Sequence, residues 1–157
     1  MTGIVDRIQR HGIHWGLAAT DWRDLTRQVG QVLVNEKLAE PAYTEAMVTN
    51  VEKNGPYLVI APGVALLHAR PDEGALDNAV VVATAEPPVE FGHSSNDPVW
   101  LVLALTATGD LEHTSLLQGI ALMLAQPGGL DRLRAASDLA TFTAVLRDLE
   151  AASGKVG

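Results

Sequence analysis

The chain has 157 residues, no cysteine, 47% apolar content and a formal charge of −8 from 11 basic and 19 acidic side chains. A chain of this size buries roughly 70% of its unfolded surface and sustains a core without disulfides or a structural metal, which excludes a small secreted scaffold. The lack of cysteine removes thiolate catalysis, iron–sulfur clusters and cysteine-ligated zinc, and it fits a reducing compartment. The opening MTGIVDRIQRHGIHWG has no apolar core followed by a small-residue cleavage site, and no segment reaches about 18 uncharged apolar residues, so a soluble cytoplasmic protein is expected.

The charge is concentrated. Between residues 71 and 112 stand Asp72, Glu73, Asp77, Glu86, Glu90, Asp97, Asp110 and Glu112 with no Lys or Arg among them, while the rest of the chain is balanced. Such a surface argues against nucleic acid, whose phosphates require basic groups, and suits either solubility or a basic protein partner.

No repeat, low-complexity run or linker composition marks a second domain. Residues 1–19 are expected to be an N-terminal extension, 20–152 the domain and 153–157 a tail. The first helix is predicted over 21–34, capped by Thr20, with Trp22, Leu25, Val29, Val32 and Leu33 on one face. A second is predicted over 41–53: Pro41 suits a first-turn position, Tyr43, Met47 and Val51 form its stripe, and Asn54 and Gly55 stop it. The period then shortens. YLVIA (57–61) and VALLHA (64–69), separated by Pro62 and Gly63, read as strands, and AVVVATA (79–85) and VWLVLALTA (99–107) as central strands covered on both faces. EPPVEFGHSSND between the last two reads as loop or edge strand. Helices are predicted again over 111–125 and 130–136, and a last one after the cap candidate Ser137 carries Leu139, Phe142, Leu146 and Leu149. The order implies an α/β (α+β-like) single domain, a mixed sheet flanked by helices on both faces, with residues after Ala152 fraying.

Fold class does not give function. No dinucleotide fingerprint, Walker loop, nucleophile elbow or zinc-protease motif is present, which leaves the five histidines. His11 and His14 have a spacing that would put them on one helical turn, but no third metal ligand is evident, and His93 reads as a solvated loop residue. His68 ends an apolar strand and is followed by Arg70, at the kind of strand exit where α/β sheets hold ligands. His113 falls in the first turn of a helix, toward its buried face, where unpaired N–H groups and the macrodipole favour an anion. Two histidines, an arginine and a helix N-terminus make joint sense for a phosphoryl group: a neutral imidazole is a nucleophile near pH 7, and phosphoryl transfer asks the protein mainly for positioning and donors. His68 is the candidate nucleophile, His113 its orienting or donating partner and Arg70 the nearby cation.

The strings KNGPYLVIAPGVALLHARPDEG (53–74), PVEFGHSSNDPVWLVLALTA (88–107) and EHTSLLQGIALML (112–124) resemble the enzyme IIA domain of the bacterial phosphoenolpyruvate:sugar phosphotransferase system (PTS), in its mannitol/fructose superfamily. The GPY, ARP and NDPV elements are most similar to the ascorbate-type branch, and the resemblance covers about 20–150. It implies a phosphohistidine carrier that takes a phosphoryl group from the phosphocarrier HPr on His68 and passes it to a cysteine of a IIB component, supporting carbohydrate uptake. His113 matches the family's second histidine, and no cofactor or metal is implied. A homo-oligomer is compatible with it. Two positions depart from the family pattern. Leu67 stands where Pro is usual, which removes a fixed φ and restores an N–H, so a looser strand exit is expected. The assisting arginine that mannitol-type members place on the preceding helix is absent, so either Arg70 substitutes for it or the ascorbate-type branch does without it. The rival readings are a free-standing regulatory phosphoacceptor, a degenerate binding module that lost phosphorylation, and a metal site built from His68, His93 and His113. Because the acids lie between the two histidines in sequence, they are expected to rim the site and face a basic patch on HPr.

Overall fold

The computed structural model describes residues 3–154. Five strands, β1 (Ile13–Leu17), β2 (Val59–Ala61), β3 (Val64–Leu67), β4 (Ala79–Val89) and β5 (Val99–Thr106), form one sheet in the order β1-β4-β5-β3-β2. β1 pairs parallel with β4 and β3 parallel with β5, while β4–β5 and β2–β3 are antiparallel. The helices are α1 (Ile4–His11), α2 (Trp22–Asn35), α3 (Pro41–Asn54), α4 (Asp110–Leu124), α5 (Gly129–Ala135) and α6 (Leu139–Gly154). The expected mixed α/β sheet with helices on both faces is therefore what the sequence forms.

The continuous apolar runs of β4 and β5 follow from burial on two sides. Val81, Ala83, Val102 and Ala104 pack with Leu25, Val29, Tyr43 and Met47 of α2 and α3. Val80, Val82, Leu101, Leu103 and Leu105 point the other way, against Val5 and Ile8 of α1, Ile120 of α4 and Phe142 and Leu146 of α6. Successive residues serve opposite layers, so no polar position is needed within either strand.

Several boundaries are shifted from expectation. Asp21, not Thr20, caps α2, accepting from the Asp24 N–H at 2.8 Å, and Asp138 Oδ1 rather than Ser137 takes the Thr141 N–H at 2.7 Å ahead of α6. A carboxylate one residue closer to the helix reaches the third amide more directly than the hydroxyl before it. β4 runs on to Val89, so the first part of the segment expected as loop or edge strand is strand. Residues 3–17, expected as an extension with an unanchored start, instead supply α1 and the edge strand β1, with Val5 and Ile8 fully buried. Only two apolar residues anchor α1, too few for a legible stripe. α6 extends through Gly154, past the point where fraying is expected, and the remainder of the predicted tail, 155–157, lies outside the described residues.

Candidate functional site

Alternation along β3 aims the candidate nucleophile. Val64 and Leu66 pack on the α4 side and Ala65 and Leu67 on the α2–α3 side, so the next residue, His68, turns toward α4. Across from it stands His113, four residues into α4, with the two imidazole centroids 5.4 Å apart and the rings tilted by 59°. That spacing lets one tetrahedral group be held by one ring and receive a hydrogen bond from the other.

The His68 Nδ1 lies 2.8 Å from the Leu66 carbonyl oxygen. A carbonyl only accepts, so Nδ1 carries the hydrogen and Nε2 keeps the lone pair. Burial pushes the His68 pKa below its ordinary 6.5; the bond to Leu66 opposes this and the nearby His113 adds to it. A neutral ring with its lone pair on Nε2 is a nucleophile near pH 7. His113 Nδ1 is buried, and among the described residues it and Thr106 Oγ1 are the side-chain atoms in that state that lack a hydrogen-bond partner.

Arg70 heads a short 3₁₀ turn, Pro71–Glu73. Its N–H donates to Glu73 Oε1 at 2.8 Å, and its guanidinium Nε stands 3.7 Å from the same oxygen with the side chain 79% exposed, so the arm is loosely held. Arg70, Pro71 and Asp72 form one wall, and Thr108, Gly109 and Asp110 the other, of an open cleft of about 460 Å³ at the N-terminus of α4. Gly109 occupies the cap position and offers no side chain to the first-turn amides, leaving them to water or an anion. Asp110 and Glu112 lie in that same turn, and Arg70 stands on the opposite wall of the cleft from Asp110.

The other histidines lie elsewhere. His11 ends α1 and pairs through Nδ1 with Glu36 Oε1 at 2.8 Å, while His14 sits on β1 with its Nε2 at 3.2 Å from the His11 carbonyl, so they do not share a helical turn. His93 is not merely solvated: its Nδ1 accepts from the Ser95 and Asn96 N–H groups at 3.2 and 3.0 Å and shapes the loop before β5. That loop adjoins Val99, whereas His68 follows the opposite end of the β3–β5 pair, so His68, His93 and His113 are not one cluster. No group of three or more His, Asp or Glu able to hold a metal occurs among the described residues.

The acids divide likewise. Asp72 and Asp110 line the cleft and Glu73 and Glu112 adjoin it, but Glu86 lines another cleft together with Trp100 at the far end of the sheet, and Asp97 accepts N–H bonds from Phe91, Gly92 and His93 there. The expected continuous rim is thus half a rim, because β4 carries the chain the full length of the sheet between the two histidines. Leu67 also differs from expectation: it is fully buried and in register opposite Ala104, so the residue that replaces Pro extends the ladder. One residue of the site was missed from sequence. Tyr43, taken as part of an apolar stripe, places its hydroxyl against the backbone just after His68. A buried tyrosine must satisfy its O–H, and that is the signal that was available.

Paired imidazoles at a strand exit beside a helix N-terminus that has no side-chain cap are the candidate site of this α/β domain. Residues 7–149 match the family model described as phosphoenolpyruvate-dependent sugar phosphotransferase system, EIIA 2, and the chain belongs to that family. It is 40% identical over 128 residues to SgcA of Escherichia coli strain K12, a phosphotransferase IIA component by name, covering 81% of this chain and 90% of that one. It is 35% identical over 118 residues to the ascorbate-specific PTS system EIIA component of the same strain, covering 74% and 77%. Its fold matches the IIA chain in the solved complex of enzyme IIA and phosphorylated enzyme IIB for mannitol from Escherichia coli, with a TM-score of 0.76, 21% identity and coverage of 88% and 95%. No helix among the described residues is long and apolar enough to cross a membrane.

Proposed function

We propose that this chain is a phosphohistidine carrier that accepts a phosphoryl group from HPr on His68 and passes it to a cysteine of a IIB component, in service of carbohydrate uptake of the ascorbate type. The observation that carries the reading is the His68 ring, fixed with hydrogen on Nδ1 by Leu66 and facing His113 at 5.4 Å. In the first step the Nε2 lone pair forms a bond to phosphorus as the bond to the donor's histidine nitrogen breaks, and that nitrogen takes the electron pair. In the second, a IIB thiolate forms a sulfur–phosphorus bond and His68 Nε2 recovers its pair. Between the two, charge on the equatorial oxygens is met by donors from His113, the first amides of α4 and Arg70. The relation to an ascorbate-specific component and the mannitol IIA–IIB complex support the choice of partner and substrate class.

The test is a reconstituted chain of phosphoenolpyruvate, enzyme I and HPr. Rapid labelling of the wild-type protein and none of His68→Ala is expected; full labelling of the variant overturns the assignment of the acceptor.

A further inference from the structure

Tyr43 is fully buried on α3, and its hydroxyl stands where a backbone hydrogen bond is due. β3 runs parallel to β5 with Leu67 opposite Ala104. Continued by two residues, that register sets the Ala69 N–H against the Leu105 carbonyl. The direct rung is replaced by a relay: the Ala69 N–H donates to the Tyr43 oxygen at 3.0 Å, and the hydroxyl donates to the Leu105 carbonyl at 2.8 Å. The Ala69 carbonyl, at 3.2 Å, is a second acceptor for the same hydrogen.

The bonded N–H belongs to the planar peptide unit that carries the His68 carbonyl, so fixing it fixes ψ of His68. The nucleophile is then held from both sides, by Leu66 through its ring and by Tyr43 through the following peptide. Spacing the strands by one hydroxyl splays β3 from β5 at this point without leaving either backbone group unpaired. Burial, with Glu73 assisting and the Ala69 bond opposing, pushes the Tyr43 pKa up to about 12, so the hydroxyl keeps its hydrogen across the working pH range.

We propose that Tyr43 is a positioning residue for phosphoryl transfer, its hydroxyl locking the strand exit so that His68 presents Nε2 to His113. The inference rests on the reading of His68 as acceptor. Tyr43→Phe keeps the ring packing and removes only the relay. Two readouts are taken. Nitrogen-15 NMR of the His68 imidazole is expected to show a single Nδ1–H tautomer in the wild type, and in the variant a mixture of tautomers with a titration moved toward the ordinary histidine value. The maximal rate of labelling by phospho-HPr is expected to fall by about tenfold or more, as small misplacements of a reacting group do, with the half-saturating donor concentration unchanged. A variant that loses thermal stability but keeps the wild-type His68 spectrum, titration and rate overturns the proposal, since that is what a structural role alone produces. Should the variant fail to fold, hydrogen exchange at the wild-type Ala69 amide decides: protection like that of Leu66 is expected, and free exchange overturns the relay. A wild-type protein that phospho-HPr does not label would remove the carrier reading, while the NMR readout would still decide the placement of Tyr43.

Discussion

The two ends of the β3–β5 strand pair make opposite use of the same ladder. At the end where the strands begin, Gly63, Asn96, Trp100 and Arg134 enclose the larger cleft, about 510 Å³, roofed by the turn between α4 and α5. Arg134 stacks on Trp100 at 5.4 Å, and the loop is tied down by Asp97 and His93 acting as backbone acceptors. At the other end the cleft is smaller, and its walls are the residues that follow His68 and precede His113 in the chain, whose imidazoles face each other at 5.4 Å. The first end spends its polar groups on its own backbone. The second leaves His113 Nδ1 without a partner among the described residues, and the N-terminus of α4 beside it without a side-chain cap. Unspent hydrogen-bonding capacity beside the proposed nucleophile, rather than cavity size, is what distinguishes the end proposed to react.

The contrast is sharpest in a pair of substitutions. His113→Ala should lower the rate of labelling by phospho-HPr by about 100-fold, the scale of losing one preorganised donor, while the label still resides on His68. Arg134→Ala should leave that rate unchanged. Rapid-quench labelling of both proteins checks this, and an equal loss in the two would erase the distinction between the ends.

The far end should instead reveal itself in stability. Gly63 has φ of +77°, and a Cβ there would sit 2.5 Å from Trp100 Cδ1. Gly63→Ala should therefore destabilise the protein by about 1–3 kcal/mol in urea titrations, through strain and overpacking, with the His68 tautomer intact.

Acid should discriminate the reactive end more gently. Folded His68 binds a proton less readily than the unfolded chain, so its contribution to stability is complete above about pH 6.5 and is lost as pH falls through the depressed folded value. Unfolding measured between pH 7 and 5 should show that slope in the wild type and a shallower one in His68→Asn. Labelling should persist to a lower pH than an ordinary histidine would allow, because burial disfavours the charged ring. The smallest effect concerns salt. With Asp72 and Asp110 at the cleft, raising ionic strength should slow transfer from HPr a few-fold, and a rate independent of salt would leave these acids a solvating role only.

How legible all this was in the sequence depended on local pattern. α2, α3 and α4 were readable because each repeats its apolar residues at the helical period, and the four later strands because they are short, nearly continuous apolar runs bounded by turn residues. His68 and His113 were legible because each interrupts such a period at an element's end. β1 was not, since a five-residue edge strand holding His, Trp and Gly has too little alternation to separate it from loop. The placement of the acids also escaped, because residues close in sequence are carried to opposite ends by an 11-residue strand. Tyr43 was visible as a residue but not as a hydroxyl, since what its O–H meets depends on a register between two strands, β3 and β5, to which α3 contributes nothing.

The bond from His68 Nδ1 to the Leu66 carbonyl acts twice in the proposed cycle. By keeping hydrogen on Nδ1 it makes the loaded ring a cation, with phosphorus on the other nitrogen. When the phosphoryl group departs, the ring is then released as neutral imidazole rather than as imidazolate, a far better leaving group. The donor also strengthens while the ring is charged, so the carbonyl steadies the loaded form without having to move. A contact that spans only two residues of one strand thereby serves both acceptance and surrender of the group.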